Sequence, residues 1–183
     1  MASSVDIQPV GTPNPRSVKF LTDRTILPVG SADLRDPEAA RKSPLAMQIF
    51  ELEGVEGVFI SQNFVTVTAN ADDQWTRLSP QIVRSMKSFF ESGAVAVEGD
   101  LDAHGVAEGE IEERIQDILD KQIRPAVAMD GGDIIFVRFE DGIVQLRMTG
   151  ACDGCPSSTA TLKAGIEARL RHFIPEILSV EAV

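Results

Sequence analysis

Between Glu98 and Glu113 the chain carries Glu98, Asp100, Asp102, Glu108, Glu110, Glu112 and Glu113, with no lysine or arginine among them. Gly99, Gly105 and Gly109 interrupt the same run. Like charges repel and glycine loosens the backbone, so this stretch stays extended and builds no core of its own. A chain of 183 residues divided there has to fold as two small domains. The reading is an N-terminal domain over 1–97, an acidic linker over 98–109 and a C-terminal domain over 110–183. A hydrophobic fraction of 43% is enough for each half to bury a core.

In the first half, Thr12-Pro13-Asn14-Pro15 predicts an extended or turned segment, because two prolines fix φ and remove donors. Residues 16–21 alternate, with Val18 and Phe20 on one face, and predict a strand. Asp36-Pro37 and Ser43-Pro44 each place a capping residue before a proline suited to the first helical position. The second predicts a helix over 44–52, with Leu45, Ile49 and Leu52 sharing a face. Residues 57–69 predict two strands about a turn at Gln62-Asn63. Trp75, Leu78, Ile82, Met86 and Phe89 follow the helical period, and Pro80 predicts a break with Ser79 capping a second helix. Trp75, Phe89 and Phe90 are expected in the core. Strand, helix, two strands, helix is a compact α+β unit.

In the second half, Ile111, Ile115, Ile118, Leu119 and Gln122/Ile123 trace a helix, its first turn enriched in acids that suit the positive end of the dipole. Arg124-Pro125 predicts its end or a kink. Asp130-Gly131-Gly132-Asp133 reads as a helix-to-strand junction, preferred over a carboxylate metal site. A strand follows through Ile134, Ile135, Phe136, Val137 and Phe139. Asp141-Gly142 predicts a two-residue hairpin, since both central positions of that turn want φ > 0. The return strand sends Val144, Leu146 and Met148 inward and Gln145, Arg147 and Thr149 outward. Pro156 predicts a helix with Leu162, Ile166, Leu170 and Phe173 in one stripe, and residues 177–183 a last strand.

The two cysteines, Cys152 and Cys155, lie between that return strand and that helix. With Pro156 at the first helical position, both sulfurs meet unpaired N–H groups and the positive end of the dipole, which lowers thiolate pKa. A tetrahedral zinc site or an iron–sulfur cluster wants four protein ligands. His104 lies in the linker and His172 well downstream on a helix, so neither completes the set. Either two chains each give two thiolates across a two-fold axis, or the pair is a dithiol–disulfide couple. Pro156 following the pair, and the antiparallel hairpin leading into it, weigh against a thioredoxin-like site. Ser157 and Ser158 are expected to cap the helix, and no Ser–His–Asp constellation is present.

The net charge of −11 argues against nucleic acid, which needs clustered lysine and arginine. No apolar run is long enough to span a bilayer. Residues 1–6 carry neither a basic flank with an apolar run nor the arginines of a transit peptide, which predicts a cytoplasmic protein. In a reducing compartment a C-x-x-C is more often metal-binding or redox-active than structural.

The run Asp130-Gly131-Gly132-Asp133, then Gly150-Ala151-Cys152-Asp153-Gly154-Cys155-Pro156-Ser157-Ser158-Thr159, then Leu162-Lys163 and Gly165-Ile166-Glu167, resembles the C-terminal domain of the NifU/Nfu family of iron–sulfur proteins. Residues 10–91 more loosely resemble the N-terminal domain of Nfu-type proteins, through Thr12-Pro13-Asn14-Pro15, Lys19-Phe20 and the Trp75 segment. The resemblance implies a carrier and not an enzyme. It implies a [4Fe–4S] cluster, with [2Fe–2S] or zinc as the alternatives, held between two subunits by Cys152 and Cys155 of each. The implied partners are a second copy of the chain, an upstream assembly scaffold, and apo iron–sulfur proteins that receive the cluster.

Overall fold

The computed structural model describes residues 5–98, 101, 107–154 and 159–183. Cys155, Pro156, Ser157, Ser158 and His104, which carried sequence expectations, lie outside the described residues.

The first domain is built on a five-stranded antiparallel sheet. Its strands are β1 (Ile7–Gly11), β2 (Ser17–Thr22), β3 (Ala32–Leu34), β4 (Val55–Ile60) and β5 (Phe64–Ala69), in the order β1-β2-β5-β4-β3. Helices α1 (Pro44–Phe50) and α2 (Trp75–Ser92) cover one face. Period-two alternation sends Phe20, Val58, Ile60, Val65 and Val67 into that layer, where they meet Leu45, Ile49, Leu78, Ile82 and Met86. Each such side chain contributes about 1.5–3 kcal/mol on leaving water. Ser43 caps α1 as expected, its hydroxyl accepting the Ala46 N–H at 3.0 Å and donating to the Ala96 carbonyl. The helix ends at Phe50, so Leu52 follows it and is partly buried. Asp36 caps only a short 3-10 turn at Ala39–Lys42.

Two expectations fail here. The helix over Trp75–Ser92 is continuous, with Pro80 inside it and no second cap at Ser79. Proline forfeits one backbone bond near the start of α2, while the stripe of Leu78, Ile82, Met86 and Phe89 pins both sides of it into one core. Trp75 also ties the first turn down, its indole N–H donating to the Pro15 carbonyl at 3.0 Å. Strands β1 and β3 were not foreseen. Both are edge strands, and β1 holds Pro9, a residue a sheet tolerates at its edge because it has no N–H to give the ladder.

The second domain starts with α3 (Glu110–Ile118), a π-helical turn over Leu119–Ile123, and α4 (Arg124–Met129). Pro125 has no N–H to return to the carbonyl four residues back. The helix responds by widening one turn, Arg124 donating five residues back to Leu119, and then continues. Strands β6 (Gly132–Glu140) and β7 (Ile143–Gly150) form the antiparallel hairpin, with Asp141 at φ 50° and Gly142 at φ 80° as the turn demands. After α5 (Thr159–Phe173), β8 (Ser179–Ala182) pairs with β7 in parallel. The thiol loop therefore does stand at the strand-to-helix turn of a β–α–β unit, contrary to the topology expected from the hairpin. Residues 177–183 could pair in either sense; a 15-residue crossover helix permits the parallel one.

This domain has its own core of Ile115, Leu119, Val127, Ile134, Phe136, Val144, Leu146, Ile166, Leu170 and Val180. Phe173, expected in the α5 stripe, is 40% exposed and stacks edge-on with His172; Ile174 takes the inward place. No helix among the described residues is long and apolar enough to cross a membrane.

Candidate functional site

Several buried side chains belong to neither core. Phe59, Phe64 and Thr66 sit on the face of the five-stranded sheet opposite α1 and α2. Ile135 sits on the face of β6 opposite Ile134 and Phe136, and Thr149 and Ala151 lie at the end of β7. Thr149, expected to face water, is 1% exposed, because the end of β7 runs against β4 and β5. These residues form a second layer where the first domain covers the thiol loop of the second. Consecutive buried positions such as Ile134-Ile135-Phe136 were the available sequence signal, since a strand covered on both faces reads as a continuous apolar run.

The loop is built on glycine. Gly131 has φ 82°, Gly150 φ 64° and Gly154 φ 65°, left-handed values that a side chain resists. A Cβ at Gly132 would lie 2.6 Å from the Cys152 Sγ, so the thiol rests directly over that residue. Cys152 is 4% exposed and packs into the core of the second domain. The Ala151 N–H donates to the Gly131 carbonyl at 3.1 Å and the Asp153 N–H to the Gly150 carbonyl at 3.2 Å, closing the turn. Asp130-Gly131-Gly132-Asp133 is thus the floor of the thiol site as well as the junction between α4 and β6.

The first domain reaches this floor and loop with side-chain donors. Asn14, in the proline-fixed turn, donates to the Ala151 carbonyl at 3.3 Å, and its own Oδ1 accepts the Arg16 N–H at 3.0 Å. Thr66 donates to the Gly131 carbonyl at 2.7 Å, and Lys19 to the Ala128 carbonyl at 2.6 Å. Ser31 donates to Asp133 at 3.4 Å. Arg35 pairs with Asp153, between the two cysteines, and donates to the Met148 carbonyl at 3.3 Å; its Nε is held by Asp33 at 2.6 Å. Lys19 also lies 4.3 Å from the centre of the Phe64 ring, and burial pushes its pKa below the ordinary lysine value, partly opposed by Asp130. None of these first-domain contacts was legible in the sequence.

Arg35 stands between two clefts. One of about 430 Å³ is lined by Asp33, Arg147, Met148, Cys152 and Asp153; the other, of about 270 Å³, by Asn14, Glu56, Phe59, Gly150 and Gly154. Among the described residues no three His, Cys, Asp or Glu side chains come together to hold a metal ion. His172 lies at the far end of α5, outside the site.

Residues 7–93 match the family described as "Scaffold protein Nfu/NifU N terminal", and residues 115–181 the "NifU-like domain". The chain is 44% identical over 181 residues to the Homo sapiens protein named NFU1 iron-sulfur cluster scaffold homolog, mitochondrial, covering 97% of this chain and 71% of that one. It is 42% identical over 186 residues to NifU-like protein 4, mitochondrial, of Arabidopsis thaliana (96% and 65%). It is 40% identical over 188 residues to the NFU1 homolog of Drosophila sechellia (98% and 65%). The chain therefore spans 65–71% of the length of these relatives.

Two α+β domains, the first covering a glycine-built thiol loop of the second, match a family described as scaffold proteins. The chain belongs to the NifU/Nfu family of iron–sulfur cluster scaffold proteins, which gives it a role in iron–sulfur cluster assembly. The expectation of a cytoplasmic protein is overturned, because all three relatives are named mitochondrial. That expectation rested on a missing address in residues 1–6, and a missing signal does not name a compartment.

Proposed function

We propose that the chain is a carrier, not an enzyme, that holds a [4Fe–4S] cluster between two copies of itself and passes it to apo-proteins. Cys152 and Cys155 of each copy supply the four thiolates. The observation that carries this reading is the ligand count. The sequence has two cysteines, and no group of three potential ligands exists among the described residues of one chain. A second copy of the same loop, related by a two-fold axis, completes the set. The cleft of about 430 Å³ opening on Cys152 offers room beside the thiol.

Two thiolates per chain at a subunit contact also suit release, since incoming thiolates can replace them in turn. Cys152 is buried in the conformation described, so binding requires the loop to turn its thiol outward. Gly150 and Gly154 bracket Cys152 and Asp153, and both already sit in a backbone region that other residues resist. The upstream donor is a scaffold that assembles the cluster.

Anaerobic reconstitution with iron and sulfide is expected to give broad visible absorption at about two chains per cluster, counted from the four-ligand rule. Cys152→Ala is expected to abolish it, and a full cluster bound by that variant overturns the assignment. A redox dithiol is the second reading, favoured by the β7–α5–β8 setting of the loop. Metal-independent turnover with thioredoxin reductase would select it. Metal analysis of protein isolated without air separates a bridging zinc ion from both.

A further inference from the structure

We propose that the N-terminal domain is a clamp that holds the thiol loop in its thiol-inward conformation, with Arg35, Asn14 and Thr66 as positioning residues. The polarity of the contact carries the inference. In six hydrogen bonds across it between described residues the donor belongs to the first domain and the acceptor to the second: Asn14 to Ala151, Lys19 to Ala128, Ser31 to Asp133, Arg35 to Asp153 and to Met148, and Thr66 to Gly131. Four of the acceptors are backbone carbonyls of the loop, its floor and their flanks. The first domain therefore fixes the main chain that leads into Cys152 and the floor beneath it, and holds the side chain of Asp153 just after it.

The clamp is built to release. Both Arg35 and Asp153 are about half exposed, at 49% and 50% of their side chains, so their ion pair is weak and screened by salt. Thr66, in contrast, is 1% exposed and makes a short bond to the Gly131 carbonyl, which keeps a second donor in the Ala151 N–H. Losing Thr66 thus weakens the clamp without leaving a buried carbonyl unmatched. With the clamp off, Gly150 and Gly154 let Cys152 swing outward. The exit of the thiol, and with it the meeting of two loops, is coupled to separation of the domains.

This inference rests on the carrier reading for its purpose but is tested without iron. In full-length protein bearing Cys155→Ser, the reaction of Cys152 with a small disulfide reagent reports the thiol-outward population. Arg35→Ala and Thr66→Val are each expected to raise the rate about 2- to 10-fold, and together about 4- to 100-fold if they act independently. Added salt is expected to speed the parent and to lose that effect in Arg35→Ala, a signature that general destabilisation would not give. Arg35→Lys is expected to restore part of the protection. Rates within twofold of the parent in both variants, or an unchanged salt response in Arg35→Ala, overturn the clamp while leaving the cluster assignment standing. Failure of reconstitution with normal clamp behaviour overturns the assignment and spares the clamp.

Discussion

Gly150 and Gly154 have nearly the same φ, 64° and 65°, but different surroundings. A Cβ on Gly150 would meet the Gly131 carbonyl oxygen at 2.6 Å, the Gly132 Cα at 3.0 Å and the Phe59 Cδ1 at 3.0 Å. A Cβ on Gly154 would meet nothing within 4 Å. Substitution by alanine at either position incurs the left-handed backbone penalty, about 1 kcal/mol. At Gly150 it adds overpacking against backbone that cannot rotate away, about 1–3 kcal/mol more. For a domain of this size 1 kcal/mol corresponds to about 4–8 °C in Tm. Gly154→Ala is therefore expected to lower the transition of the second domain by about 5 °C, and Gly150→Ala by at least about 10 °C. Differential scanning calorimetry of the full chain separates the two domains if they melt apart; far-UV circular dichroism with urea gives the same ranking. Equal losses for the two variants, or a greater loss for Gly154→Ala, would refute the packing described around the loop.

Ser43→Ala removes the α1 cap and the partner of the buried Ala96 carbonyl; a loss of about 1–3 kcal/mol is expected in urea unfolding followed by Trp75 fluorescence. Glu167 accepts the Val180 N–H at 3.0 Å and pairs with Arg171, and the Val180 bond foremost holds its pKa below the usual glutamate value of 4.5. Its stabilising contribution is full above that value and is lost as pH falls through it toward the lower folded value. Unfolding curves across that acid range are expected to be flatter in Glu167→Gln than in the parent, and parallel curves would show that the bond to β8 carries no charge-dependent stability.

The two cores are largely legible in the sequence. Val58, Ile60, Val65 and Val67, or Ile115, Ile118 and Leu119, announce their faces because burial on one side imposes a period. The Asp141-Gly142 turn was legible because only a few residues accept its backbone. What failed was decided by more distant partners. Pro80 reads as a break until the stripe on both sides of it is seen to share one core. Strands β1 and β3 are short edges whose pairing depends on the strand beside them. The parallel partner of β7 is fixed by where α5 delivers the chain. The cover over the thiol loop was the least legible, because Asn14, Lys19, Arg35 and Thr66 lie 65 to 137 positions from the loop and floor residues they touch, as in Thr66–Gly131 and Asn14–Ala151. Polar residues scattered along several strands form no local pattern.

The widened turn at Leu119–Ile123 acts as a phase setting for everything that follows it. An α-helix advances about 100° per residue, so the additional residue taken up in that turn decides which way the last helical segment faces. Val127 is 2% exposed and Met129 76% exposed only because of that setting. Removing one residue between Leu119 and Ile123 would leave the hydrogen bonding of the helix more regular and its end misdirected by about 100°. Val127 would leave the core, the Ala128 carbonyl would turn from Lys19, and Gly132 would no longer lie beneath the sulfur of Cys152. A locally tidier helix would thereby misalign the thiol site downstream of it.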